Sequence, residues 1–267
     1  MGANTKALKS RIRSVDSTLH LTRAMGLVAS SKMRRANESM GSGRQYAASF
    51  GSVIDLLTAC PECAHSPYMR PTEGKHVRLI VIAGDRGLAG GYNANVFRLT
   101  DSMQKDKVIP IGKRACDRYH GEFLSSERFS GAQASEMARQ LCREYLNGDF
   151  DRLGIVSTKY VSMMTQEAQV TWLLPLERTE QTGSVGVVFE PDEQSILNTA
   201  VPDYLAGVLM RCIRESFACE VAARRMAMDS AGKNAQTMID NLQLQYNRAR
   251  QGAITQEITE IVAGSGA

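Results

Sequence analysis

The chain has 267 residues, 43% of them apolar, and a net charge of +4, which leaves room for one or two ordinary domains. No window holds the 18 or more apolar residues that a membrane-spanning helix needs, and the N-terminus lacks a charged-then-apolar leader pattern. These features exclude an integral membrane protein of the helical kind and lead us to expect a cytoplasmic chain without export.

The first 36 residues carry eight Lys or Arg (Lys6, Lys9, Arg11, Arg13, Arg23, Lys32, Arg34, Arg35) against one acid, Asp16, a net of +7. Such a basic segment suits nucleic acid, an anionic membrane or an acidic protein surface, and is otherwise a solvated face. All seven prolines lie between Pro61 and Pro202. Proline is costly inside helices, so the proline-free ends are expected to be long helices flanking a compact middle. In the first segment Leu8, Ile12, Val15, Leu19, Thr22, Gly26, Ala29, Met33, Ala36 and Met40 follow the 4-3 spacing of a coiled-coil seam. Gly41 to Gly43 are expected to loosen this helix, apolar residues resume from Tyr46 to Leu57, and Pro61 ends it. A helix of that length reaches roughly 90 Å, too long for a domain of this size to bury, so the ends must pack on each other or on a partner.

The middle reads as α/β. Strands are expected at 77–83, 107–111, 153–160, 170–174 and 185–189, and helices at 93–104 and 132–146, the latter closed by Asn147-Gly148. Pro110 argues for an edge or strand-end position. Strands alternating with helices imply a mainly parallel, Rossmann-like sheet. Glu190-Pro-Asp-Glu marks a linker, and the last helix is placed to start near Pro202 or Asp203. Its seam runs Leu205, Leu209, Cys212, Ser216, Cys219, Ala223, Met226, slips, and resumes at Met228, Ala231, Ala235, Met238 and Leu242. The expected division is therefore 1–60, 61–201 and 202–267.

Chemistry is sparse in this sequence. Gly84-Asp-Arg-Gly-Leu-Ala-Gly-Gly91 sits between a strand and a helix, where phosphate-binding loops occur. Its glycines miss the G-x-G-x-x-G spacing, and no Gly-Lys-Ser/Thr follows. A tight turn bringing backbone close to a partner is the competing reading. Cys60-Pro-Glu-Cys63 with His65 and His76 is open to three readings: reduced thiols at a helix-to-loop junction, a zinc site without a second C-x-x-C, or a redox pair. The four histidines (His20, His65, His76, His120) stand at no ligand spacing, and no nucleophile set presents itself. No catalytic, cofactor-binding or metal-binding residue is assigned, and no cofactor is expected.

Three blocks then converge. Leu21-Thr-Arg-Ala-Met-Gly-Leu-Val-Ala-Ser-Ser-Lys-Met-Arg-Arg35, Asp85-Arg-Gly-Leu-Ala-Gly-Gly-Tyr-Asn93 and the long block from Leu242 to Val262 resemble the N-terminal helix, central loop and C-terminal end of the rotary ATP synthase gamma subunit family. The resemblance spans the chain, with the middle diverged. It implies a long antiparallel coiled coil of the terminal helices plus a Rossmann-like α/β domain, present once per complex. It implies a non-catalytic rotor shaft turning inside a ring of three alpha and three beta subunits. The shaft would couple transmembrane proton flow to ATP synthesis or hydrolysis at the beta-subunit sites. Further implied partners are the epsilon subunit and the membrane ion-conducting ring, with no nucleic acid and a peripheral place on the cytoplasmic face of a bacterial plasma membrane. Carried over by position, the beta-contact and coupling residues are Met25, Arg224, Arg250, Gln251, Thr255, Glu257 and Glu260. Arg224 stands where Arg224-Arg-Met-Ala-Met departs from the family's Arg-Met-x-Ala-Met. The rival readings are a nucleotide-binding α/β enzyme with helical oligomerisation arms, which relies on the glycine loop, and a coiled-coil adaptor or nucleic-acid binder using the basic helix. The 6% aromatic content without aromatic-basic interleaving speaks against the last.

Overall fold

Proline placement governs the element order. A computed structural model describes residues 2–70, 74–179 and 189–265. Helix α1 runs from Gly2 to Ala59 and gives way to two 3-10 turns, Pro61–His65 and Pro67–Met69. Then follow β1 (Val77–Ile82), α2 (Tyr92–Asp101), β2 (Lys107–Ile111), α3 (Lys113–Tyr119), α4 (Gly131–Leu146), β3 (Arg152–Tyr160), β4 (Gln166–Leu174) and α5 (Glu193–Ser265). The chain divides into two compact units, Ser31–Ala223 and the paired helix ends Met1–Ser30 with Arg224–Ala267.

In the larger unit the sheet order is β2-β1-β3-β4, parallel except for the β3–β4 pair. β1 is the apolar run Val-Arg-Leu-Ile-Val-Ile, and a strand buried on both faces needs that composition. Its side chains alternate between two cores. Leu79 and Val81 pack with Val96 of α2, Ala115 of α3 and Val156 of β3. Ile80 and Ile82 join Ala134, Ala138 and Leu141 of α4, Ile54 and Leu57 of α1, and Leu205 and Leu209 of α5. Pro110 lies on β2, the edge strand, where its missing donor costs no ladder bond. A capping box of Ser130 and Gln133 starts α4, and Gly148 at φ +82 follows its end.

Several elements differ from the sequence reading. Gly41 and Gly43 do not interrupt α1; Gly43 sits in the seam, where an added Cβ would lie 3.6 Å from the Arg211 backbone. α3 is a helix absent from that reading. It forms because Gly112 turns the chain at φ +93 and the Asp85 carboxylate accepts from Lys113 N at 3.0 Å. α5 starts at Glu193 and not near Pro202. Asp192 accepts from Ser195 N at 2.8 Å there, as an N-cap does. Pro202 is inside the helix, a cost of about 3 kcal/mol. Full burial of Leu197, Val201 and Leu205 around it outweighs this at about 1.5–3 kcal/mol each. Of the strand expected at 185–189, residues 185–188 lie outside the described residues.

In the smaller unit α1 and α5 run antiparallel. Leu19 packs with Ala235 and Ile239, flanked by Ile12 and Val15. The Gly26 position faces Met228, and Gly232 faces Thr22 and Leu19. Met238, expected in the seam, is exposed, and Ile239 takes its place.

An alanine at position 112 would place its Cβ 1.9 Å from the Ala83 carbonyl oxygen at an unfavourable φ. Gly112→Ala is therefore expected to destabilise the larger unit by about 3 kcal/mol or more. Urea unfolding followed by circular dichroism checks this.

Candidate functional site

The carried-over residues fall into two zones of the helix pair. Met25 of α1 is half-buried and flanked by exposed apolar side chains, Leu21, Leu27 and Val28. The antiparallel register that sets Gly26 against Met228 brings Arg224 within about one turn of the same level. Arg224 is half-buried as well. This zone borders an open groove of about 580 Å³ lined by Arg23, Gly26, Leu27, Arg225, Met228 and Asp229, among others. Gly26 and Gly232 lie on its floor, where an added Cβ would already touch Met228 or Thr22 of the facing helix at 3.6–3.7 Å.

Arg250, Gln251, Thr255 and Glu260 are exposed on α5, and Glu257 belongs to the same helical stretch. Arg250 is 26 residues beyond Arg224, roughly 39 Å along the axis at about 1.5 Å per residue. The structure thus does not gather the seven residues into one site. The Thr255 hydroxyl donates to the Gln251 carbonyl at 3.0 Å, and Gln256 Nε2 donates to Glu260 at 2.8 Å. Continuing the register puts Gly2 of α1 level with Gly252. Among the described residues, no α1 counterpart lies opposite the stretch from Ala253 to Ser265. Ile254, Ile258, Ile261 and Val262 are accordingly 48–70% exposed. An apolar stripe of this kind on a terminal helix marks an interaction surface.

The basic N-terminal segment is exposed on α1 apart from Lys32. Lys32 pairs with Glu127, which also faces Arg86 at 3.8 Å.

The glycine-rich loop is closed on the chain's own groups. Gly84 is buried, and the Glu220 carboxylate of α5 lies 2.6–2.9 Å from where a Cβ would stand. Gly84 N donates to the Asn93 side chain at 2.9 Å, and Arg114 presses on Gly87. A carboxylate at the loop both fills the space and repels a phosphate, so the geometry favours the close-approach reading over nucleotide binding. Asp85 is the clasp of this region. It accepts from the Ser125 hydroxyl at 2.6 Å and from the backbone N–H groups of Lys113, Ser126 and Glu127 at 3.0–3.1 Å. Burial pushes its carboxyl upward, but these four donors outweigh it and hold it below the usual carboxylate range.

Cys60 and Cys63 are both buried free thiols at the α1-to-turn junction. Burial, with Cys60 nearby, pushes the Cys63 thiol up to about 11, so it stays protonated and unreactive at neutral pH. Among the described residues there is no group of three or more His, Cys, Asp or Glu set to hold a metal ion.

Sequence reasoning quoted Asp85 within the glycine-rich loop but gave it no role, and it missed Glu215 and Glu220. For the two glutamates the available signal was an acid inside an otherwise apolar, small-residue helical run, a pattern that demands buried partners.

The Asp85 clasp has a testable pH dependence. Its folded-state value is depressed, so its stabilisation is present above the ordinary carboxylate range and is lost as pH falls through the depressed value. Asp85→Asn should cost about 1–3 kcal/mol at neutral pH. The gap from the unsubstituted chain should close on acidification, as read from urea unfolding at stepped pH.

Residues 4–267 match the family described as ATP synthase. The chain is 38% identical to the ATP synthase gamma chain of Moorella thermoacetica, covering 99% of each protein. It is 40% identical to that of Ruminococcus albus over 98% of each. It is 38% identical to the sodium ion specific ATP synthase gamma chain of Acetobacterium woodii, covering 100% of this chain and 99% of the relative. In fold it is similar to a chain of the Euglena gracilis mitochondrial ATP synthase OSCP/F1/c-ring structure, with a TM-score of 0.68 at 16% identity, covering 100% of this chain and 95% of that one. It is also similar to a chain of the Tetrahymena thermophila mitochondrial ATP synthase central stalk/c-ring structure, with a TM-score of 0.61 at 19% identity, covering 79% and 99%. Family match, full-length relatives and the helix-pair-plus-sheet fold agree: this chain belongs to the ATP synthase gamma chain family.

Proposed function

We propose that the chain is the central rotor shaft of an F-type ATP synthase, turning inside a ring of alpha and beta subunits and carrying no catalytic site of its own. The observation that carries this reading is the terminal stretch of α5, a helix with exposed Ile254, Ile258, Ile261 and Val262 and no α1 opposite them among the described residues. Such a stretch fits a sleeve supplied by other subunits. An asymmetric shaft in a three-fold ring touches each beta subunit differently. Each rotational angle then favours a different conformation at each nucleotide site, because a contact shifts an equilibrium only by its differential affinity for the two states. Ion flow turns the shaft and thereby changes nucleotide affinity; ATP hydrolysis drives the reverse rotation.

Two contact zones follow. Met25 and Arg224 would meet the acidic loops at the mouth of the ring. Arg250, Gln251, Thr255, Glu257 and Glu260 would meet the sleeve at the far end. Acids near a helix C-terminus are unfavourable for the dipole, and a partner cation facing Glu257 or Glu260 offsets that cost. The exposed cations of α1, from Lys6 to Arg35, complement acidic ring surfaces and tune interaction without tight binding. The α/β unit is assigned to contacts with the epsilon subunit and the membrane ion-conducting ring. The complex would then sit peripherally on the cytoplasmic face of a bacterial plasma membrane. No helix among the described residues is long and apolar enough to cross a membrane.

Reconstitution with purified alpha and beta subunits tests the reading. The expected product holds three alpha, three beta and one copy of this chain, with ATPase activity that depends on it. Truncation after Leu242 is expected to lower that activity. Failure to associate, or binding of ATP by the isolated chain, would overturn the proposal. Neutralising Arg34 and Arg35 together is expected to change ATP-driven ion pumping in the membrane complex, and unchanged pumping would remove the charge argument.

A further inference from the structure

Glu215 of α5 is 4% exposed. A carboxylate so buried is tolerated only with partners that replace water, and here they come from three elements of the larger unit. Its Oε1 accepts from Arg44 Nη2 of α1 at 2.6 Å and from the Tyr160 backbone N–H at the end of β3 at 3.0 Å. Arg211, one turn earlier on α5, stands 3.8 Å from Oε2. The same Arg44 Nη2 also donates to the Tyr160 carbonyl at 3.1 Å. Each of α1, α5 and β3 is therefore bonded to the other two around one carboxylate. The tie continues along α5: the Ser216 hydroxyl accepts from Thr158 N at 3.1 Å, and Cys219 Sγ donates to the Thr158 carbonyl at 3.5 Å.

The neighbouring packing is apolar. Ala36, Met40 and Ala218 form the adjoining cluster, with Tyr160 and Phe217 against it. Apolar burial is non-directional. It resists separation of helix and sheet but opposes sliding or twisting only through steric fit. Hydrogen bonds to a charged group carry direction and are about twice as strong as neutral ones.

We infer that Glu215, held by Arg44 and the end of β3, is the positioning residue that fixes the rotational setting of the two helices against the α/β layer, so that torque entering at the layer reaches the helices without slip. This rests on the rotor reading. Removing the charge should loosen coupling before it affects nucleotide turnover, because turnover at other subunits needs only that the helices turn.

The test uses the complete membrane complex carrying Glu215→Gln, Glu215→Asp or Arg44→Gln. ATP hydrolysis, ATP-driven ion pumping and the thermal midpoint of the purified chain are measured together. Glutamine keeps the shape and the acceptor for Tyr160 but gives up the charge-assisted bonds. The expected result is a fall in ions pumped per ATP in Glu215→Gln and Arg44→Gln, with hydrolysis maintained and partial recovery in Glu215→Asp. An unchanged ratio in an assembled complex overturns the inference. So does a loss of hydrolysis, assembly and pumping in parallel with the thermal midpoint, which is the signature of a purely structural role. If Glu215→Gln does not fold, Arg44→Gln decides, since the Arg44 side chain is 43% exposed and its loss leaves the apolar core in place. Failure of the unsubstituted chain to assemble overturns the rotor reading itself, and that result is separable because no substitution is involved.

Discussion

The structure depends on one helix serving two cores at once. Between Glu193 and Ala223, α5 lies against α1 on one side and the sheet on the other, and it buries residues around most of its circumference, from Leu197 and Val201 to Val221 and Ala222. A helix apolar on nearly all sides is stable only inside a protein. This demand fixes the rest: the sheet must offer Ile80 and Ile82 toward the helix, α1 must offer Ile54 and Leu57, and Pro202 is carried within the helix because burial exceeds its cost. Beyond Arg224 the same helix buries one stripe, and an ordinary coiled-coil spacing suffices.

Two acids of this double-faced segment are buried, Glu215 and Glu220, and their handling differs. Glu215 is met by a cation and a strand-end N–H. Glu220 reaches the glycine loop, where the missing Cβ of Gly84 makes the room it occupies. The glycine loop is thus explained by packing: its backbone is bare because a side chain from another element must come close. Asp85, one residue later, binds the start of α3 and the 125–127 segment, so loop, strand ends and helix α5 are pinned at the same edge of the sheet.

Much of this was legible in the sequence, for reasons that can be named. The α1 seam from Leu8 to Met40 follows a single period because that stretch of helix buries one stripe. Three of the described strands were visible as short apolar runs between turn residues, and the fourth, β4, only over its apolar half 170–174, since Gln166 to Gln169 carry no such pattern. The α5 seam is harder to read: Met238 and Ile239 are adjacent apolar residues three and four positions after the buried Ala235, both fit the 4-3 spacing, and only the structure shows that Ile239 faces α1. α3 escaped because its start is set by Gly112 and by a carboxylate 28 residues earlier, neither of which leaves a local pattern. Gly43 looked like a breaker, since a glycine required by close helix approach has the same letter as one that ends a helix. Motif resemblance pointed to residues such as Met25 and Arg250 as candidate contacts but not to their spacing in space. The separation of Met25 from Arg250 along the pair follows only once the register is known.

That register has an energetic consequence. Past Gly252 the described part of α5 continues for 13 residues, to Ser265, without α1 opposite it. An isolated helix of that size is marginal in water, about 12–15 residues being the lower limit even for favourable sequences. The stretch also holds four exposed large apolar side chains, and covering each would contribute about 1.5–3 kcal/mol. Apolar surface thus stands where no described part of α1 lies opposite it, with Arg250, Gln251 and Thr255 at the start of the same stretch. An apolar bearing surface resists withdrawal yet sets no preferred angle, whereas directional polar groups at its edge discriminate between angles. A shaft that must turn while staying seated needs both properties at one end, which is the role we propose for Arg250 and Gln251 and for the apolar stripe of Ile254, Ile258, Ile261 and Val262 beside them.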